Sequence, residues 1–209
     1  YAKSRTKKLL LPGTVGLLVF GWITGYFNMA ISGAFEQTPQ MPLPVLWLIE
    51  AVSGTGVLWF IQVLWIYSML LLLVRKIEKD RFYTFCAKIP VWLIILFVIP
   101  LWGAARILNA PVICVYRFGI YGLAFFIGYF VMSHDEVMER LTKFRAVFAA
   151  GSILLSIAEV WFYFGENYAV SPVRDSILSI ALAWFGSLAL LTFARKKLDK
   201  KNAFTEFMS

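Results

Sequence analysis

The chain has 209 residues, of which 60% are hydrophobic, 17% aromatic and only 15% charged, and its formal net charge is +8. Soluble domains carry about 25% charged residues, and one soluble core could not bury this many aromatic side chains. The composition therefore excludes a soluble globular protein and indicates a membrane protein. The basic residues form short runs between apolar segments, which is typical of cytoplasmic loops, so we expect no nucleic-acid partner.

Six apolar segments bounded by charge approach the length of about 20 residues that a helix needs to cross a bilayer. They lie at residues 8–31, 54–74, 89–108, 117–132, 146–165 and 176–194. The fourth is short, and the third contains Pro90 and Pro100, which neighbouring helices tolerate in a membrane. The sequence predicts an all-α fold, a polytopic transmembrane helix bundle with about six spanning helices in a single domain over residues 1–209.

The distribution of basic residues predicts the orientation of these segments. Of the 20 Lys and Arg residues, 17 lie in the two flanks and the even-numbered connections, and the others are Arg106, Arg117 and Arg174. Because cytoplasmic loops collect Lys and Arg, we expect both ends of the chain on the cytoplasmic side of an integral membrane protein. The chain starts at Tyr1 and stops at Ser209 after a basic run, so we expect a piece of a longer protein, truncated at both ends.

The first outer connection, residues 32–53, carries no Lys or Arg but contains an apolar stretch after three prolines. This stretch is too short to span a bilayer, so the sequence predicts an interfacial or re-entrant helix at residues 44–52.

Ionisable residues within apolar segments are costly and are the first candidates for function. Glu159 lies in the fifth segment, about 13 residues past its cytoplasmic end. Two interpretations are open, a contact with a substrate hydroxyl or a proton, and an interhelical hydrogen bond. Gln62 and Glu50 are weaker candidates, because amides commonly join helices and Glu50 is close to the outer water.

Two arginines, Arg106 and Arg117, flank the connection between the third and fourth segments. They either extend to lipid headgroups or line an outward vestibule that binds an anionic or sugar acceptor.

The single histidine, His134, follows the fourth segment in SHDEVMERLTKF. Ser133 and Glu136 match the S-x-x-E pattern of a capping box, which predicts a short amphipathic cytoplasmic helix that begins beside His134. A catalytic role for His134 is the alternative, although no second histidine completes a triad or a metal site. Cys86 and Cys114 lack the spacing of a zinc site or a disulfide framework, and we expect no metal.

The N-terminal run KSRTKKLLLP places basic residues just before the first membrane segment. Arg5 and Lys8 are three positions apart, so a helix presents them on the same side. Two cations there can bind the phosphate of a membrane lipid or of a nucleotide cofactor, and the spacing alone favours lipid.

Four stretches resemble, in order and spacing, the interior of the acyltransferase 3 family of integral membrane O-acyltransferases; they are YAKSRTKKLLLP, GVLWFIQVLWIYSMLLLLVRK, YRFGIYGLAFFIGYFVMSHDEV and LTFARKKLDKKNAFTEFMS. The best marks are the basic run and the turn of Leu58, Trp59 and Phe60 that begins the second segment. The resemblance implies transfer of an acyl group, usually acetyl, from cytoplasmic acyl-CoA to a hydroxyl of a cell-envelope carbohydrate or similar acceptor in a bacterial cell membrane. Acyl-CoA is then the donor substrate and no bound cofactor is expected.

Under this resemblance Arg5 and Lys8 occupy the family's R-x-x-R motif, which holds the phosphates of coenzyme A. Lys8 departs from the motif, because lysine lacks the bidentate fork of arginine. The family's catalytic histidine would lie before Tyr1, so we expect no catalytic residue here and no activity of this piece alone. A non-catalytic membrane module or a transporter-like bundle is the alternative function. The candidate substrate-binding residues are Glu159, Arg106, Arg117 and Trp59.

Overall fold

The structure, a computed structural model, describes residues 2–31, 42–53, 58–111, 115–168 and 170–198. Within these ranges the chain forms two compact units, one over residues 1–78 and 110–118 and the other over residues 79–109 and 119–209. Both are built mainly from helices, which fits the predicted all-α class.

Unit 1 begins with α1, a continuous helix over residues 2–31. It is π-helical at Thr6–Leu10 and Leu17–Gly21 and α-helical at Ala2–Arg5, Leu11–Gly16 and Trp22–Ile31. Two further helices follow, α2 at Leu43–Ser53 and α3 at Leu58–Glu78. The short helix predicted at residues 44–52 is therefore present as α2, and its position at a membrane surface stays a prediction.

Glycines bring α1 and α2 into close contact. A Cβ added to Gly21 would lie 2.8 Å from the Ala51 carbonyl oxygen, and one added to Gly25 would overlap the Glu50 carbonyl oxygen. Gly21 and Gly25 are four residues apart, the small-x-x-x-small spacing that lets helix backbones approach in membranes. The two helices pack along this glycine face.

Two three-residue strands, β1 at Asn109–Pro111 and β2 at Val115–Arg117, form one small sheet. The remaining helices, which apart from Phe118 belong to unit 2, are α4 at Arg81–Cys86, α5 at Val91–Leu96, α6 at Val98–Ala104, α7 at Phe118–Ile127 with a π-helical extension at Gly128–Met132, α8 at Asp135–Lys143, α9 at Arg145–Tyr163 and α10 at Ile177–Leu198.

Four helical stretches in the described residues are long and apolar enough to cross a membrane; they are Lys3–Ile31, Phe60–Glu78, Arg145–Tyr163 and Ile177–Lys197. Shorter apolar helices at Val91–Ala104 and Phe118–Met132 occupy the third and fourth predicted segments. At about 1.5 Å per residue each of these two is about 21–23 Å long, less than the roughly 30 Å of a bilayer core. The lengths indicate a membrane protein with four candidate spans, and the predicted number of six is not confirmed.

Pro100 accounts for the interruption of the third segment. Proline has no N–H to donate to the carbonyl four residues earlier, here that of Leu96. The helix turns at Phe97, and the Leu101 amide then donates to the Phe97 carbonyl at 3.0 Å, which continues the chain as α6. The segment is therefore built from two short helices.

The core of unit 2 lies between α9, α10 and the shorter helices. Phe148 on α9 and Leu188 on α10 are completely buried. Trp184 on α10 donates its indole N–H to the Ile94 carbonyl of α5 at 2.9 Å, so this buried polar group is satisfied. These contacts fix α10 between α9 and α5, and α10 carries part of the candidate site.

Candidate functional site

The first candidate site is the basic start of α1 in unit 1. Lys3, Ser4, Lys7 and Lys8 line a groove of about 430 Å³, which we call the lysine groove. All four side chains are exposed. Thr6, within the same turns, accepts a hydrogen bond of 3.0 Å from the Trp65 indole N–H, which ties this end of α1 to α3.

The helix type decides which cations meet in this groove. Residues three apart in an α-helix are separated by about 60° around the axis. Thr6–Leu10 is π-helical, with more residues in each turn, so Arg5 and Lys8 diverge. Among the described residues that line the groove, Lys8 is accompanied by Lys3 and Lys7 and not by Arg5. The groove thus brings Lys8 together with two other lysines, and a joint role of Arg5 and Lys8 stays a prediction.

This arrangement favours anions that carry several negative charges. Three ammonium groups offer hydrogen-bond donors without a fixed geometry, and the Ser4 hydroxyl adds a neutral donor. The groove also lies at the positive end of the α1 dipole. Phosphate groups are the ligands that such donors bind best among biological anions.

The second candidate site surrounds Glu159 on α9 in unit 2. Glu159 is only 6% exposed. It lies 14 residues, or about 21 Å, from Arg145 and about one turn before the end of α9 at Tyr163. The Ser179 hydroxyl of α10 hydrogen-bonds with Glu159 Oε1. The buried Oε2 atom has no hydrogen-bond partner within the described part of the chain.

Glu159 thus makes the interhelical hydrogen bond that was one of its two interpretations, and among the described residues nothing bonds its second oxygen. A cavity of about 680 Å³ along α9 is apolar and is lined by Ser156, Ile157, Val160, Trp161 and Phe164, not by Glu159. The exposed apolar residues that line this cavity are suited to lipid contact. Glu159 instead points towards α10.

Two serines at the start of α10 complete the Glu159 cluster. The Ser179 amide donates to Ser176 Oγ at 3.1 Å, an N-cap interaction at the residue before the helix. Ser179 Oγ lies 2.9 Å from Ser176 Oγ and 2.7 Å from the Val173 carbonyl oxygen. Sequence reasoning missed both serines, and an N-cap serine at the start of the sixth apolar segment was the available signal.

Next to this cluster, Arg174 and Asp175 form an ion pair. Arg174 Nε lies 3.2 Å from Asp175 Oδ1, and Nη2 lies 3.0 Å from Oδ2. The hydrogen bond to Asp175 raises the pKa of the Arg174 guanidinium, burial lowers it, and the charge of Asp175 raises it further. The pair gives the turn before α10 a bidentate contact.

The predicted vestibule arginines belong to different units. Arg106, in unit 2, is exposed, and its guanidinium carbon lies 4.3 Å from the centre of a Trp102 ring, a cation–π contact. Arg117, in unit 1, is the last residue of β2 and is partly buried.

Two other sequence candidates lie in unit 1. Trp59 lies in the first turn of α3, and its side chain is outside the described part of the structure. Glu50 on α2 is only 7% exposed, so the expectation that it reaches outer water is wrong. The close approach of Gly25 to the Glu50 backbone places this residue against α1.

The capping box predicted for Ser133 and Glu136 is also wrong. His134 is the N-cap residue of α8, and no side chain within the described ranges caps the helix there. Ser133 Oγ donates to the Tyr129 carbonyl and lies 3.1 Å from the Tyr83 hydroxyl. Ser133 follows the helical extension of α7, where a hydroxyl readily bonds the carbonyl four residues earlier.

His134 packs on α4. Its Nε2 atom lies 2.9 Å from the Tyr83 carbonyl oxygen, and the two ring centres are 4.1 Å apart. Arg140 makes a second connection, because its Nη2 donates to the carbonyls of Ala87 at 2.6 Å and Ile89 at 3.2 Å. The acceptors precede Arg140 by about 50 residues, and no local pattern in the sequence marks this contact.

Within the described ranges, no group of three or more His, Cys, Asp or Glu could hold a metal ion. Cys86 is buried, and Cys114 lies outside the described residues. No family model, curated protein or solved structure matches the chain.

Proposed function

We propose that the chain is part of a membrane O-acyltransferase. In this proposal it catalyses direct transfer of an acyl group, such as acetyl, from cytoplasmic acyl-CoA to a hydroxyl of a cell-envelope carbohydrate or similar acceptor. The observation that carries the proposal is the lysine groove at the start of a helix long enough to span a membrane. The sequence resemblance supplies the reaction class.

Coenzyme A suits the lysine groove because it carries a pyrophosphate and a separate phosphate. Lys3, Lys7 and Lys8 provide three positive charges within five positions, next to the Ser4 hydroxyl. A lysine ammonium binds a phosphate as a point charge and needs no bidentate geometry, so the lysine at position 8 is compatible with this role. The positive charge also favours the cytoplasmic side, where acyl-CoA is found.

Glu159 suits the acceptor. Its Oε2 atom, which has no hydrogen-bond partner in the part of the chain that the structure describes, can accept a hydrogen bond from a substrate hydroxyl, and a buried oxygen gains more from such a bond than an exposed one. In the reaction the acceptor oxygen attacks the thioester carbonyl, the carbon–sulfur bond breaks, and the hydroxyl proton ends on the released coenzyme A thiol. We assign Glu159 a binding contact and no role as a base.

Binding of acetyl-CoA to the purified full chain in detergent tests the proposal. The test variant replaces Lys3, Lys7 and Lys8 with alanine, and the control replaces three exposed lysines elsewhere with alanine, namely Lys76, Lys143 and Lys196. At about 0.5 kcal/mol for each exposed charge contact, the test variant should bind about tenfold more weakly. The control removes the same charge and should bind within about twofold of wild type.

Two outcomes would contradict this assignment. Equal weakening in both variants would mean that only net charge attracts acetyl-CoA. If the test variant binds acetyl-CoA as wild type does but no longer binds vesicles of anionic lipid, the lysines bind lipid headgroups and not acetyl-CoA. Arg5→Ala is a further check, because Arg5 is not among the described lining residues and should affect acetyl-CoA binding less than Lys8→Ala.

A further inference from the structure

An open apolar groove of about 270 Å³ runs along α7 in unit 2. We call it the phenylalanine groove, because it is lined by Phe82 of α4, Phe97 between α5 and α6, Phe126 of α7 and Phe130 of its π-helical extension. The remaining lining residues are also apolar, and the Cys86 thiol among them behaves as a small hydrophobe. None of the described lining side chains offers a strong hydrogen bond, so the groove suits hydrocarbon and not water.

Aromatic contacts and two helix irregularities shape the wall of this groove. The Phe82 ring meets Phe130 edge-on at 5.1 Å between ring centres, and Phe126 stacks on Phe130 at 6.2 Å. The helix break at Phe97 and the π-helical turn at Gly128–Met132 both contribute lining residues. Because π-helical turns are wider than α-helical turns and occur frequently at functional sites, the groove has the character of a preformed binding surface.

The size of the groove matches one hydrocarbon chain. Its lining residues along α7 extend from Leu123 to Val131, eight positions or about 12 Å of helix. An apolar cavity of about 150 Å³ takes up benzene, which has six carbons, so a groove of about 270 Å³ has room for about ten carbons. An empty groove would forfeit dispersion contacts along its lining, and acyl chains are the apolar groups that a bilayer supplies.

Basic side chains lie next to the α4 end of the groove. Arg81 precedes the lining residue Phe82, Lys88 precedes the lining residue Ile89, and both basic side chains are exposed. Residues 79–88 contain three basic residues and one acidic residue. This connection is predicted to be cytoplasmic, and the cytoplasmic leaflet presents anionic headgroups. The charge beside the groove therefore complements an anionic lipid.

We infer that the phenylalanine groove binds one acyl chain of an anionic phospholipid from the cytoplasmic leaflet, with the headgroup phosphate beside Arg81 and Lys88. Close packing against the aromatic wall holds the chain, and the two cations select the headgroup. A bound lipid contacts α4, the break at Phe97 and α7 together, so it stabilises their arrangement. The site belongs to unit 2 and does not depend on acyl transfer or on the lysine groove of unit 1.

Photochemical cross-linking of the full chain in vesicles tests the inference. The probe is phosphatidylglycerol with a diazirine on one acyl chain, and mass spectrometry locates the cross-linked residues. Cross-links should concentrate on α4 and α7. Leu123→Trp fills the groove and should lower this labelling severalfold. Leu154→Trp, on the exposed face of α9, adds the same bulk outside the groove and should leave the labelling unchanged.

A second pair of variants tests the headgroup and leaves the groove intact. Wild type should be labelled about fivefold more by this probe than by phosphatidylcholine with the same chain, as expected for two exposed charge contacts. Arg81→Gln combined with Lys88→Gln should abolish that preference. Lys143→Gln combined with Arg145→Gln removes the same charge at other exposed positions of unit 2 and should preserve it.

Three results would overturn the inference. The first is wild-type labelling spread equally over α4, α7 and the exposed face of α9, which is the pattern of unspecific surrounding lipid. The second is equal labelling of wild type by the two headgroups. The third is full labelling of α4 and α7 in a Leu123→Trp protein that circular dichroism shows to be folded.

Discussion

Gly25→Ala should destabilise the contact between α1 and α2. The added Cβ would overlap the Glu50 carbonyl oxygen and lie 2.5 Å from the Glu50 carbonyl carbon and 2.9 Å from its Cα atom. Ordinary contacts begin at about 3.4 Å, so relieving the overlap with the carbonyl oxygen requires the two backbones to separate by more than about 1 Å. Overpacking of this kind costs about 1–3 kcal/mol.

Gly103→Ala in α6 is the matched control. A Cβ at Gly103 meets nothing within 4 Å among the described atoms, so only the helix propensity changes. That gain is at most about 1 kcal/mol for Gly to Ala, and it is smaller at Gly103, near the end of α6, than at Gly25 inside α1. The difference in unfolding free energy between the two variants is therefore a lower bound on the packing cost, which is about 1–3 kcal/mol.

Thermal unfolding in one detergent, followed by circular dichroism, gives this difference. For a chain of this size about 1 kcal/mol corresponds to roughly 2–4 °C, so Gly25→Ala should unfold several degrees below Gly103→Ala. If the two variants unfold at the same temperature, the close approach of α1 and α2 along Gly21 and Gly25 is wrong.

Three further predictions concern unit 2. Ser176→Ala removes the N-cap of α10 and should cost about 1 kcal/mol, whereas Ser187→Ala, in the exposed middle of α10, should cost less; equal losses would argue against the cap. Arg140→Met removes the hydrogen-bond donor of two backbone carbonyls and should lower the unfolding free energy by about 2–3 kcal/mol. Its control, Lys143→Met at an exposed position, should leave the unfolding free energy almost unchanged. Cysteines placed at Asn167 and Lys143 in a cysteine-free background should react with an impermeant reagent from opposite sides of the membrane, and labelling of both from one side would refute the predicted topology.

The helices could be predicted because the length of each apolar segment can be read directly from the sequence. Each of the six predicted segments coincides with an apolar helix, although only four have spanning length. The break at Phe97 was harder to predict, because a proline such as Pro100 is tolerated in many membrane helices when neighbours satisfy the backbone. Whether the helix continues depends on tertiary contacts that a linear pattern does not contain.

The candidate sites also combine features that the sequence shows with contacts that only the folded structure shows. Glu159 stands out in the sequence as a charge within an apolar run, but its partner Ser179 lies 20 positions away on another helix. The π-helical turn at Thr6–Leu10 brings the lysines together, but no residue pattern in the sequence distinguishes it from an α-helical turn. Ser133 matched a capping pattern, but its hydroxyl donates to the Tyr129 carbonyl, which is about as close in the sequence as the predicted capping partner.

The phosphate specificity of the lysine groove tests the proposed function most directly. Binding of acetyl-CoA and of its analogue without the 3′-phosphate should be compared for wild type and for the variant with alanine at Lys3, Lys7 and Lys8. If the lysines bind that phosphate, wild type prefers acetyl-CoA severalfold and the variant binds the two ligands equally, because the interaction energy of a contacting pair is lost when either partner is removed. The same preference in both proteins, or no saturable binding by wild type, would contradict the assignment.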